Sequence, residues 1–216
     1  HATARSRRTL LAAQGQIEGY ESNPHFQCQG SAKHLTLDDE VANVLPDAWK
    51  EHWNRYLPTG EIHANFQLGY DETGWHPRCD IECVSLAFTH YKFPYRMEEA
   101  TGIISLRDDV LSLQLEAQAG NRPVQIAGQI HQPGPRGVGE VVVRANAVTI
   151  DEKLIGATPP KIQKVIDSFA PRGTVDVLFR GMRDKPDAPW LPHCVIDLNE
   201  ISMRYDKFPY PLHKVR

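Results

Sequence analysis

The 216-residue chain lacks any run of about 18 consecutive apolar residues, the length a helix needs to cross a bilayer. Its first residues, HATARSRRTLLAAQ, are basic but carry no apolar stretch long enough for a secretory signal. An excess of charge of one sign is also missing: 24 Lys and Arg stand against 27 Asp and Glu, for a net charge of −3. That balance argues against a nucleic-acid binder, which needs a clustered basic face. Arg5, Arg7 and Arg8 form the single basic group, and it reads as a solvated strand edge or tail.

Cysteine is scarce. Cys28, Cys79, Cys83 and Cys194 show no CxxC spacing and are too few for a disulfide framework. Cys79 and Cys83 have a spacing that zinc uses, but no second Cys/His pair follows at a suitable distance. Buried thiols, a disulfide and metal ligation stay open, with buried thiols the simplest. The signatures GxSxG, HExxH, GxGxxG and the P-loop are all absent. His63, His76, His90, His131 and His193 do not share repeat positions and read as surface or hydrogen-bonding residues. Glu82 and Asp197 are equivalent in the repeat described next, which sets them too far apart for a glycosidase pair. The chain is therefore expected to be no enzyme and to carry no metal or other cofactor.

What is present is enough apolar residue for a core, 41% of the chain, and a strong internal repeat. Trp75-His76-Pro77-Arg78-Cys79-Asp80-Ile81-Glu82, running on to Lys92-Phe93-Pro94-Tyr95, is answered 115 residues later. The second copy reads Trp190-Leu191-Pro192-His193-Cys194-Val195-Ile196-Asp197 and runs to Lys207-Phe208-Pro209-Tyr210. Upstream the offset is 113: Leu35-Thr36-Leu37-Asp38-Asp39 answers Val148-Thr149-Ile150-Asp151-Glu152. Pro58 and Gly60 likewise answer Pro171 and Gly173. Two extra residues in the loop from Gly181 to Pro189 account for the change of offset. Copy one is expected over 1–115 and copy two over 116–216, each a truncated unit of a longer array.

Period-two alternation dominates each unit and predicts strands near 101–106, 110–117, 123–131 and 139–150. Arg107-Asp108-Asp109 and Ala119-Gly120-Asn121-Arg122 supply the hairpin turns. The fold class is mainly β, a curved antiparallel meander, open and groove-like, with one short cover helix per repeat. In copy two, Thr158 is expected to N-cap that helix with Pro159 at its first position and Ile162, Ile166 and Phe169 on one face. In copy one, Pro46 opens the equivalent segment, with Trp49, Trp53 and Tyr56 expected to pack into the core. Trp75 and Trp190 are expected to be inward anchors. Ile81 and Cys83 are in phase, but Leu86 and Phe88 have switched parity, as have Ile201 and Met203 after Ile196 and Leu198. This predicts β-bulges near Val84-Ser85 and Asn199-Glu200.

Gly102-Ile103-Ile104-Ser105-Leu106-Arg107-Asp108-Asp109-Val110-Leu111-Ser112-Leu113, closing with Ile126-Ala127-Gly128-Gln129-Ile130, resembles the AsmA-like repeat proteins of TamB and YhdP type. The resemblance covers about thirty residues in detail; the Trp-x-Pro and Lys-Phe-Pro-Tyr strings are not part of it. It implies a periplasmic, cell-envelope protein, membrane-anchored outside this segment, and the internal repeat adds the expectation of further repeats of the same chain as partners. It also implies a β-groove for phospholipid transport or outer-membrane assembly. Ile81, Cys83, Leu86, Phe88, Leu111 and Leu113 would then face the groove; otherwise they pack beneath the helix. The rival reading is an extracellular structural or adhesion array, or a glycan-binding tandem β-domain.

Overall fold

The computed structural model describes residues 2–6, 8–19, 25–45 and 47–215. Arg7 of the basic group and Pro46, the expected start of the copy-one helix, lie outside them. The first six strands are β1 (Ala2–Ser6), β2 (Thr9–Glu18), β3 (His25–Leu37), β4 (Thr59–Asp71), β5 (Gly74–His90) and β6 (Phe93–Arg107). The next six are β7 (Val110–Ala119), β8 (Arg122–His131), β9 (Val138–Thr149), β10 (Arg172–Arg183), β11 (Leu191–Tyr205) and β12 (Phe208–Val215). Each pairs antiparallel with its predecessor, giving one open 12-stranded meander in chain order.

Helices α1 (Asp39–Val44) and α2 (Asp47–Tyr56) interrupt the first six strands, and α3 (Glu152–Ala157) and α4 (Pro160–Phe169) the second six. Four equivalent elements start 113 residues apart: Thr9 and Arg122, Asp39 and Glu152, Asp47 and Pro160, Thr59 and Arg172. Residues 115 and 116 lie inside β7, and the six-strand order begins again at its first residue, Val110. The Asp108-Asp109 turn has φ of 49° and 58°, the paired left-handed conformation that a tight two-residue hairpin requires.

Two helices stand where one was expected. Asp38 caps α1 through Glu40 and Val41, and Asp151 caps α3 through Leu154, each carboxylate accepting otherwise orphaned backbone N–H groups. Thr158 closes α3 rather than opening α4, its hydroxyl donating to the Ile155 carbonyl at 2.8 Å. Pro159 is extended, and α4 starts at Pro160. Leu57 and Ala170 end α2 and α4 in left-handed backbone, φ 44° and 40°, one residue before Pro58 and Pro171. Each second helix is then hydrogen-bonded to a hairpin: Tyr91 N–H donates to Arg55 and Asp206 N–H to Ser168. Among the described residues, no helix is long and apolar enough to cross a membrane.

Both expected bulges are present. Glu61 faces Ser85 and Ile62 faces Cys83, leaving Val84 as the surplus residue of β5. Thr174 faces Asn199 while Arg172 faces Ser202, and Glu200 takes up the surplus of β11 at φ 50°. Alternation alone did not reveal three more. His34 in β3 and Ala147 in β9 are equivalent residues at φ 54° and 51°, and Glu99 in β6 is at φ 52°. All five fall on neighbouring rungs, drawing one line of bends across the sheet.

The core gathers along that line. Ile62, Cys83, Leu86, Tyr95, Ala100, Leu115, Ala117, Val124, Ile126, Ala145, Val148, Ala157, Val175 and Ile201 form one buried cluster. Val124 and Ile201, each 1% exposed, contribute about 1.5–3 kcal/mol apiece by leaving water. Gly60 makes the closest approach to the β5 bulge: its φ is 120°, and a Cβ there would lie 1.9 Å from the Ser85 carbonyl oxygen. Gly60→Ala is expected to lose about 2–3 kcal/mol in urea unfolding. Gly156→Ala, in α3 with open space around it, is expected to gain about 0.5–1 kcal/mol.

Candidate functional site

Residues directly opposite one another on neighbouring strands share a face, so the register defines rungs across the sheet. One face is apolar almost throughout. Its innermost rung is Ile62, Cys83, Gly102, Leu115, Ile126, Val143, Phe179 and Cys194. The next is Leu11, Ala32, Ala64, Ile81, Ile104, Leu113, Gly128, Val141 and Gly181. Beyond it run Phe66, Cys79, Leu106, Leu111 and Ile130, and at the strand ends Ile17, Phe26, Tyr70 and Trp75. The opposite face carries Gln14, Gln29, Gln67 and Arg78 on one rung and Asn65, Asp80, Ser105, Ser112, Gln129 and Glu140 on another.

The apolar face is enclosed beside the bulges from β4 to β8 and open at its outer rungs and at Phe179 of β10 and Cys194 of β11, which are exposed. Cys83 and Leu86 lie in the buried core, 3% and 7% exposed. Ile81, Phe88 and Leu113 pack against it half-buried. Leu111 is half-buried one rung further out, between Leu106 and Ile130. All six expected groove residues thus share one face, graded from closed core to open sheet. At the far strand ends Trp75 is 59% exposed, with its ring 4.9 Å from Tyr70 and 6.0 Å from Phe26. Neither Trp75 nor Trp190 is an inward anchor. Trp190 lies just before β11, with the Arg183 guanidinium 5.3 Å from its ring centre.

The second helix of each unit covers less than expected. Trp49 is 60% exposed and Ile162 48%, so these helices bury only part of their apolar faces. α2 and α4 lean on β5 and β11 near the hairpins, leaving the outer rungs uncovered by any described helix. Sequence alternation did not single out Phe26 and Tyr70. Their pairing with Trp75 depends on the β3–β4–β5 register, which their spacing along the chain does not contain.

All four cysteines are free, so the disulfide alternative is absent. Burial pushes the Cys83 thiol up to about 11, far from the thiolate a nucleophile requires. Glu82 and Asp197 are exposed on the polar face, where the repeat placed them. Among the described residues one cluster of ligating side chains, His34, Glu61 and His63, sits on that face beside the β3 bulge. Asp71 is held well below the usual carboxylate range by the Thr73 hydroxyl and by His76, which closes the β4–β5 turn. No protein-family model, no curated protein and no solved structure matches this chain.

At pH 8, Cys83 is expected to alkylate at least about tenfold more slowly than exposed Cys194 in the folded protein, the two rates converging in denaturant. Equal rates in the folded state would contradict the enclosed part of the face.

Proposed function

We propose that this chain is a non-enzymatic segment of an AsmA-like cell-envelope repeat protein. Its apolar sheet face shelters phospholipid acyl chains during lipid transport or outer-membrane assembly in the periplasm. The observation that carries this reading is the gradient along the apolar face. A spacer domain buries such a face completely, because exposed apolar area costs about 25 cal/mol per Å². Here full burial ends within a rung or two of the line of bulges, and Leu, Ile, Phe and Trp side chains continue outward half-buried to exposed. Acyl chains fit that surface, which needs no hydrogen-bond partner, while the opposite face keeps Gln, Asn and Arg in water.

Further units of the same kind complete the reading. α3 packs onto β6 of the preceding unit, where Ala157 is 4% and Tyr95 6% exposed. Their equivalents, Val44 in α1 and Tyr210 in β12, are 81% and 69% exposed. Neighbouring units would cover both as α3 and β6 cover each other. Membrane anchoring lies outside this segment.

A second reading, a glycan-binding module, draws on the Gln14, Gln29 and Gln67 rung, which lines a groove on the polar face with Arg78 and Arg107.

Native mass spectrometry of protein purified from bacterial cells tests the first reading. Co-purifying phospholipid is expected, and Leu111→Asp is expected to lower its occupancy at least about tenfold, because a carboxylate on this rung is costly beside acyl chains. A lipid-free mass from every preparation, with retention by a glycan surface, would favour the second.

A further inference from the structure

We infer that His34, Glu61 and His63 form a binding site for a divalent first-row transition ion, zinc above all, on the polar face where β3 bends. His34 Nδ1 lies 2.8 Å from Glu61 Oε1, and the two imidazoles meet edge to face with ring centres 4.6 Å apart. One ligating atom from each of the three residues lies within 4.8 Å of the others. Ligands of a tetrahedral zinc ion stand roughly 3.3 Å apart, given bonds of about 2.0–2.2 Å. Small rotations of these partly exposed side chains close that difference. Two imidazoles and one carboxylate suit zinc and its neighbours, whereas calcium and magnesium favour sites made wholly of oxygen. The His34 side chain is 49% exposed and Glu61 31%, which leaves room for water or an outside ligand to complete the coordination.

The second unit shows which part of this cluster the fold requires. Its equivalent bulge is built from Ala147, Thr174 and Asp176, 113 residues on. There Asp176 Oδ1 accepts the Ala147 backbone N–H at 2.6 Å, as His63 Nδ1 accepts that of His34 at 3.0 Å. The bulge thus needs one acceptor at the 63/176 position and nothing more. Ala147 holds the same left-handed backbone without an imidazole, and Thr174 stands where Glu61 does without a carboxylate. His34 and Glu61 are additions to a scaffold that forms without them. While His63 Nδ1 accepts the His34 N–H its ring proton sits on Nε2, so an ion recruits His63 by taking over the Nδ1 lone pair, and its bonds to three side chains outweigh the one neutral hydrogen bond given up. An ion here would tie β3 to β4 across the bend, on the face opposite the apolar rungs, so the inference does not depend on the lipid reading.

The second unit also supplies the variants. His34→Ala and Glu61→Thr each install a residue that the fold already accepts at the equivalent position. Calorimetry of the full chain with Zn²⁺ is expected to give one site, weakened at least about tenfold by either substitution and abolished by both. Zinc is also expected to raise the melting temperature of the wild type and not of the double variant. Cobalt in place of zinc is expected to show visible d–d absorption without a near-ultraviolet sulfur band, which separates this site from the four cysteines. Absence of binding in excess zinc, equal affinity in the double variant, or a sulfur-to-cobalt band would each overturn the assignment.

Discussion

The structure depends on the two-residue pleat of its strands and on the single surplus residues that interrupt it. A β-strand sends alternate side chains to opposite faces, so one extra residue sends everything beyond it to the wrong side unless the backbone absorbs it. Here it is absorbed on strand after strand at the same level of the sheet. Ile81 and Cys83 before the β5 bulge and Leu86 and Phe88 after it therefore stay on one apolar surface. The bends also raise local twist, and the enclosed core gathers on both sides of them while the outer rungs stay open. Sidedness, curvature and the gradient of burial all follow from this one device.

The same scaffold is built twice with different side chains, and the differences are informative. Helix starts and the helix-to-hairpin hydrogen bonds recur at fixed offsets. The bulge acceptor is a histidine in one unit and an aspartate in the other, and the hydrogen bond to the backbone survives the exchange. Where a residue pair is required by backbone geometry, both units supply it in some form. Where only one unit has a group, as with His34 and Glu61, the fold does not account for it. The repeat therefore works as an internal control for separating architecture from chemistry.

Much of the architecture was legible because repeats and pleats are local. The strings repeated at an offset of 113 or 115 residues, the Asp108-Asp109 turn and the parity switch after Cys83 are each short stretches of chain. The helix pair was harder to see. Asp38 and Asp151 stand at equivalent repeat positions, and their place before a short helical turn is the N-cap signal of α1 and α3. The bulges at His34 and Ala147 leave a weaker trace because the residues around them mix small and polar side chains. The Phe26, Tyr70 and Trp75 cluster and the His34, Glu61 and His63 cluster were not legible at all, since each joins residues by strand register. Trp49 and Trp75 depart from the rule that large apolar side chains are buried, because an open sheet leaves many of them uncovered.

Site-by-site accessibility through β5 measures the governing constraint most directly. With single cysteines placed in turn at residues 81 to 88 of an otherwise cysteine-free chain, labelling is predicted to be slow at 83 and 86 and fast at the adjacent pair 84 and 85. The two fast neighbours are the signature of the bulge. Unbroken alternation, with 85 slow and 86 fast, would contradict it and remove the continuous apolar face.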